Sequence, residues 1–360
     1  MIILPYKISV YAIAKNEEKF ADRWAESMSE ADEIVVLDTG STDNTVKILS
    51  SYPNIRVYSE KIEPWRFDTA RNHALALVSQ DADICISTDI DEFFEPGWRS
   101  GIEKALDKGA QRIRYRYTWN FLSDGSEGTV FTADKFHARH NFEWRHPVHE
   151  VITYTGHGEP VTVYADGVRL LHKADDTKSR AGYLGLLEMS VAECPEDDRN
   201  MHYLGREYMF RGRYADAIKT LKKHLSMPSA VWADERSASM RYIAKCSSFM
   251  GDKDSAEVWY LRSCAEAPHL REPWLNFAYF CYDRKNYTAA AALVERALTI
   301  ENRADSYMNE SNCWNEMPYD ILSMCYYYLG DGKKAREAAE KALEIRPDDE
   351  RIKNNLQFFE

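Results

Sequence analysis

The densest group of residues able to do chemistry is Ser87-Thr88-Asp89-Ile90-Asp91-Glu92, at the end of the apolar run that begins near residue 83. Three carboxylates in four residues repel one another, which is costly unless a cation or a ligand compensates. In a strand, positions i and i+2 share a face. Asp89 and Asp91 are therefore expected to point together at a hard divalent ion with oxygen ligands, one that would bridge a diphosphate. A second group, Leu37-Asp38-Thr39-Gly40-Ser41-Thr42-Asp43-Asn44-Thr45, follows another apolar run. Asp38 alone reads as a turn and helix-cap residue. Delivered to the C-terminal edge of a parallel sheet, its carboxylate can also accept from a base N–H or a ribose hydroxyl. Between the two groups lies Phe67-Asp68-Thr69-Ala70-Arg71-Asn72-His73. A helix N-terminus with an arginine in its first turn suits phosphate oxygens; the alternative is a surface Arg71 paired with Asp68.

These groups need elements to hold them. KISVYAIA (7–14), EIVVLDTG (33–40), NIRVYSE (54–60) and DICISTDIDEFF (83–94) read as strands. Residues 17–30, with Phe20, Trp24 and Met28 four apart, read as a helix, as do TDNTVKILSSY and DTARNHALALVSQ (68–80). Such alternation predicts a Rossmann-like, mainly parallel α/β sheet covered on both faces. Residues 112–172 carry more strand signals, so an antiparallel extension is expected there. From residue 176 the chain reads as helix, and it repeats. Ala217, Ala256, Ala290 and Ala335 recur at steps of 39, 34 and 45 residues, and Gly205, Ala244, Ala278 and Ser323 recur twelve positions earlier each time. The tetratricopeptide period is about 34, so four degenerate repeats of an all-α solenoid are expected, with a helix over 179–193 as the joint. The domains are accordingly 1–175 and 176–360.

Composition narrows the classes. The net charge is −12 over 360 residues. An acidic chain gains nothing from counterion release on a phosphate backbone, which argues against a general nucleic-acid binder, the local Lys219, Lys222 and Lys223 set aside. No run approaches the roughly 18 apolar residues of a membrane span. The start, MIILPYKISVYAIAKNEE, lacks the charged region, long apolar core and small-residue site of a signal peptide. Seven cysteines without a CxxC pair read as buried thiols in a reducing compartment. The expectation is a cytoplasmic protein.

The order NEE (16–18), LDTGSTDNT (37–45), ARN (70–72) and TDIDEFF (88–94) resembles family 2 glycosyltransferases of the GT-A fold. It is most similar to the bacterial branch holding lipopolysaccharide-core glucosyltransferases and tetratricopeptide-bearing peptide S-glycosyltransferases. The resemblance covers residues 6–175, with the repeats over 180–350. It implies an inverting hexosyltransferase using a UDP-sugar with Mn²⁺ or Mg²⁺. By position it puts Asp38 on the uridine, Asp68 near the base or phosphate, Asp89 on the ribose or sugar, Asp91 on the metal and Arg71 near the diphosphate. Thr39 departs from the second acid often found there, which leaves one base contact open. The Glu-Asp pair that many members carry on the acceptor side is not found. Trp144-Arg145-His146-Pro147-Val148-His149-Glu150 fits the W-x-x-x-V-H-E of the branch instead. An inverting displacement needs a carboxylate to deprotonate the acceptor. Glu150 is the choice, with His149 as ligand, orienter or alternative base and Trp144 as a sugar platform. His172 corresponds to the late histidine that GT-A enzymes often supply to the metal. Lys173, Lys178 and Arg180 would lie over the diphosphate on a closing loop, or form a solvated stretch.

The repeats imply a concave surface that selects a peptide or protein acceptor or makes a homodimer; a glycan, lipid or nucleic-acid acceptor is the alternative. A nucleotidyltransferase should show a Gly-rich phosphate loop after the first strand, and AIAKNEE offers none. A non-catalytic scaffold should have lost the acidic turn, which is intact.

Overall fold

A computed structural model describes residues 6–122, 124–173 and 182–359. The chain divides into two compact units between Ser190 and Val191, whereas the change in residue texture lies near 175.

In the first unit β1 (Ile8–Ala14) leads through α1 (Ala21–Ser27) to β2 (Glu33–Asp38), then through α2 (Thr45–Leu49) to β3 (Ile55–Ser59), and through α3 (Phe67–Ala76) to β4 (Ile84–Asp89). A short β5 (Glu92–Phe94) and α4 (Trp98–Leu106) follow. Next come β6 (Arg112–Thr118), β7 (Val130–Ala138), a hairpin of β8 (Phe142–Arg145) and β9 (Val151–Tyr154), the long β10 (Thr162–His172) and α5 (Tyr183–Glu193). The main sheet runs β3-β2-β1-β4-β7-β6-β10-β5. β1 pairs in parallel with β2 and β4, and β2 with β3. β7 runs antiparallel to both β4 and β6. The expected extension is thus mixed, because β10 returns parallel to β6.

β1, β2 and β4 are almost wholly buried, as strands covered on both faces must be. Trp24 of α1 and Trp98 of α4 are fully buried on one face; the indole N–H of Trp24 bonds Thr88 Oγ at 3.0 Å. The segment 42–52 gives only the five-residue α2, since Asp43 turns the chain by accepting from the Thr45 N–H and hydroxyl. Sequence reading passed over α4, although Trp98, Ile102 and Ala105 mark its buried stripe.

The helical unit contains α6 (Asp198–Phe210) with α7 (Tyr214–Ser226), α8 (Ala233–Phe249) with α9 (Lys253–Glu266), α10 (Arg271–Asp283) with α11 (Tyr287–Leu298), α12 (Met317–Tyr328) with α13 (Gly332–Ile345), and a final α14 (Glu350–Asn355). Ala217, Ala256, Ala290 and Ala335 are fully buried. At Gly205 a Cβ would come within 2.5 Å of Leu221 Cγ, so the first pair crosses too closely for a larger residue. The recurring Asp or Asn before the second helix of three pairs is a cap: Asp252, Asn286 and Asp331 accept from backbone N–H groups at the starts of α9, α11 and α13. The longest insertion is the segment between α11 and α12. Of the repeat aromatics, Tyr203 is buried and Trp232 exposed. No helix among the described residues is long and apolar enough to cross a membrane.

Candidate active site

The strand order turns about β1, and the register aligns Ala14 with Asp38 and Ile13 with Asp89. The two aspartates therefore stand on either side of β1 at one carboxyl edge, where open α/β sheets bind ligands. The NEE turn after β1 is buckled to the turn after β2. Asn16 Oδ1 accepts from the Thr42 N–H at 2.7 Å, the Glu17 N–H bonds Thr45 Oγ1, and Glu18 Oε2 accepts from the Asn44 N–H. Asp38 is buried and accepts from the N–H groups of Gly40 and Ser41. Gly40 supports this turn with a φ of 108°, in the left-handed region. Asp38 thus serves the turn but caps no helix, since α2 begins only at Thr45, and its position at the crevice is kept.

Asp68 does not pair with Arg71. Both its oxygens are taken by Arg66, at 3.0 and 2.8 Å. Arg71 points instead into the unit and is 4% exposed. Its Nη2 bonds Asp89 Oδ1 at 2.6 Å, its Nε bonds Glu150 Oε1 at 2.5 Å, and its Nη1 reaches Ser87 Oγ at 3.2 Å. One guanidinium thereby joins Asp89 at the end of β4 to Glu150, carried by the β8–β9 loop. Asn72, next on α3, exchanges hydrogen bonds with the backbone N–H and C=O of Trp144, and the Phe67 N–H bonds the Pro147 carbonyl. α3 therefore fixes both Arg71 and the loop that presents Glu150.

Trp144 is not a sugar platform. It is 3% exposed, its indole N–H donates to Tyr11 Oη at 2.7 Å, and its ring lies under the Arg71 guanidinium. The expected platform became a buried floor because its polar edge found a partner in β1. Tyr11 in turn bonds His137 Nε2, while His137 Nδ1–H faces the Ala138 carbonyl. Burial holds His137 neutral and pulls its pKa down to about 4.

Asp89 and Asp91 do not share a strand face, because β4 ends at Asp89 and Asp91 lies in the turn before β5. Asp89 meets Arg71 and, at 3.4 Å, the Lys135 ammonium from β7. Burial pushes Asp89 up, but these two cations hold it well below the usual carboxylate range. Glu92 is fully buried; it accepts from the Tyr117 hydroxyl at 2.6 Å and Lys135 at 3.2 Å. Burial and the Asp89 charge push Glu92 upward. Lys135 was not singled out from sequence, and Glu92 was read only as the third carboxylate of the acidic turn. The repulsion expected within the acidic turn is thus relieved largely by protein cations.

Asp91 is treated differently. Its Oδ2 faces His172 Nε2 at 3.3 Å, and its carbonyl accepts from the N–H of Lys173 and from Arg23. His172 Nδ1 is bonded to the Trp119 carbonyl at 2.8 Å. A carbonyl can only accept, so Nδ1 carries the hydrogen and the neutral ring offers its Nε2 lone pair toward Asp91. One oxygen and one imidazole nitrogen at this spacing suit one cation between them, whether a proton or a divalent ion of the Mn²⁺ kind. Trp119, 45% exposed, lies against the His172 ring with centroids 4.8 Å apart. His149 adopts a φ of 50° and sits edge-on to Tyr183. Lys173 is exposed; Lys178 and Arg180 lie outside the described residues.

Residues 9–155 match the family described as Glycosyl transferase family 2, and residues 318–349 match Tetratricopeptide repeat. The chain carries a family 2 glycosyltransferase domain and a tetratricopeptide repeat. The lipopolysaccharide core biosynthesis glycosyltransferase LpsC of Rhizobium meliloti is 30% identical over 115 residues, 30% of this chain and 40% of that protein. The SPbeta prophage-derived glycosyltransferase SunS of Bacillus subtilis is 23% identical over 311 residues, 80% of this chain and 70% of that one. A crystal structure of MamA protein aligns with 46% of this chain and 82% of its own at 17% identity and a TM-score of 0.37. The family match spans β1 to β9, and so holds every site residue above except His172, Lys173 and Tyr183.

Proposed function

We propose that this glycosyltransferase moves a hexose from a UDP-sugar to an acceptor in one metal-dependent, inverting displacement. Residues 1–175 do the transfer in this reading, and residues 176–360 meet the acceptor, a peptide or protein. The observation that carries it is the Arg71 bridge, which sets a donor-side acid, Asp89, and an acceptor-side acid, Glu150, on the two sides of one guanidinium. Asp38 receives the uridine in the crevice beside β1. Asp68 lies toward the base or phosphate, and Asp89 toward the ribose or sugar.

Asp91 Oδ2 and His172 Nε2 would hold the divalent ion, which would supply positive charge against the departing diphosphate. Arg71 orients Glu150 through Oε1, which leaves Oε2 to take the acceptor proton. His149, beside it, orients the acceptor. The tetratricopeptide repeat supports a protein partner. The unpaired cysteines, six of them buried, support a reducing cytoplasmic setting.

The test is release of UDP from a panel of UDP-sugars with and without Mn²⁺. Asp91→Ala should lose the metal-dependent rate, and metal-independent turnover would overturn the ion's role. Glu150→Gln should abolish transfer with UDP binding kept. Loss of UDP binding in that variant would move Glu150 to the donor side.

A further inference from the structure

Asp198 at the start of α6, His224 near the end of α7 and Glu235 in the first turn of α8 bring one ligand atom each to within 4.8 Å of one another. His224 is fully buried and the Glu235 side chain is 5% exposed, while Asp198 is half-buried and opens the cluster to solvent. His224 Nε2 lies 3.1 Å from Glu235 Oε1. A tetrahedral Zn²⁺ with bonds of about 2.0–2.1 Å spaces its ligand atoms about 3.3 Å apart, so this pair already stands close to one edge of such a site.

The charge balance at the two carboxylates also points to a ligand. Among the described residues neither Glu235 nor Asp198 forms an ion pair with arginine or lysine, and Glu235 faces only the His224 ring, which is charged only when protonated. A buried carboxylate without a fixed counter-charge is costly. The neighbouring His202 is fully buried, and its ring centroid lies 5.5 Å from that of His224.

The hydrogen bonds behind the cluster admit the order that a metal-bound histidine requires. His224 Nδ1 lies 3.0 Å from Ser239 Oγ, and Ser239 Oγ lies 2.7 Å from His202 Nδ1. With His224 Nδ1–H donating to Ser239, and the Ser239 hydroxyl donating to His202, the His224 Nε2 lone pair is left facing Glu235. The Tyr307 hydroxyl holds the other Glu235 oxygen at 2.8 Å. One imidazole nitrogen and two carboxylates form a borderline donor set. We infer that Asp198, His224 and Glu235 bind a divalent cation of the zinc class, which ties α6, α7 and α8 together and is separate from the ion at Asp91.

The experiment uses the full chain carrying Asp91→Ala, stripped with chelator and then titrated with Zn²⁺ alone. About one zinc per chain should bind, as three protein ligands and a water allow, and the melting temperature should rise with it. His224→Gln should remove both effects. Ser239→Ala should weaken binding about tenfold by freeing the ring behind the metal. Asp198→Asn covers the case in which His224→Gln does not fold; circular dichroism should show its helices kept and its zinc affinity lowered. No zinc binding by the Asp91→Ala chain would overturn the site, as would binding that Asp198→Asn and Ser239→Ala leave unchanged.

Discussion

In the α/β unit Asp89 and Glu150 face a guanidinium that keeps its charge at any working pH. In the helical unit Glu235 faces an imidazole, whose charge depends on pH and on what else binds it. Arg71, Glu150 and Glu235 are largely withdrawn from water, whereas the Asp89 side chain is 36% exposed; both sets stand beside a second histidine or lysine. The difference lies in what stays fixed. Around Arg71 and Lys135 the protein supplies permanent cations, so the charge pattern that a donor would meet is set before it arrives. Around Glu235 the balance is left to a proton or a metal. The first arrangement suits preorganised chemistry, the second a conditional brace.

The comparison breaks most directly at Arg71. In Arg71→Ala, Asp89 and Glu150 lose their common partner and Trp144 loses its cover. Transfer should fall by about a thousandfold, as when a preorganised charge contact is removed. Stability should fall by about 3–5 kcal/mol, since a buried pair broken on one side leaves an uncompensated charge. Single-turnover rates and urea denaturation measure the two. Activity within tenfold of wild type would mean that Arg71 only holds the fold.

Acid sharpens the contrast next. Burial lowers His137 to about 4 and His202 to about 3, so both are neutral when folded. Below about 6.5 the unfolded chain takes up protons that the folded chain refuses. Each histidine therefore costs stability as pH falls from there toward its folded value, on the order of 2 kcal/mol by about pH 5. Denaturation curves at about pH 7 and pH 5 should show the loss. His137→Gln should shrink it in the α/β unit alone, and His202→Gln in the helical unit alone. A pH-independent stability would sink this account.

These partners show where sequence was readable and where it was not. Asp38, Arg71, Asp89, Asp91 and Glu150 stood out because motifs and strand ends are local, and Asp38 and Asp89 do lie at one carboxyl edge. Lys135 did not, because in FTADKFHA it reads as an ordinary outward charge of an alternating strand. Only the antiparallel return of β7 beside β4 turns it onto Asp89 and Glu92. Trp144 misled for the same reason, since its burial depends on Tyr11, 133 positions earlier. The strand-face argument for Asp89 and Asp91 failed where the strand itself stopped. In the helical unit the small-residue register was legible because it repeats, whereas the meeting of Asp198, His224 and Glu235 across three helices was not.

A third acid set isolates the part played by burial. Glu127 is gripped by both Nη atoms of Arg116 at 2.6 Å, by Arg169 at 2.8 Å and by the Thr118 hydroxyl. These permanent cations match those around Arg71, yet the side chains of Arg116 and Glu127 are 34% and 27% exposed. Hydrogen bonding from Arg116 lowers Glu127 to about 2. Its stabilisation is therefore present above about pH 4.5, the unfolded value, and is lost as pH falls through about 2. Water screens the pair, so Glu127→Gln should cost under about 1 kcal/mol at neutral pH. A double-mutant cycle with Arg116→Gln measures the coupling. A small coupling would show that a fixed cation organises an acid strongly only where water is excluded, as at Arg71. A coupling as large as the loss in Arg71→Ala would mean that the identity of the cation decides the strength, and that burial around Arg71 and Glu150 adds little.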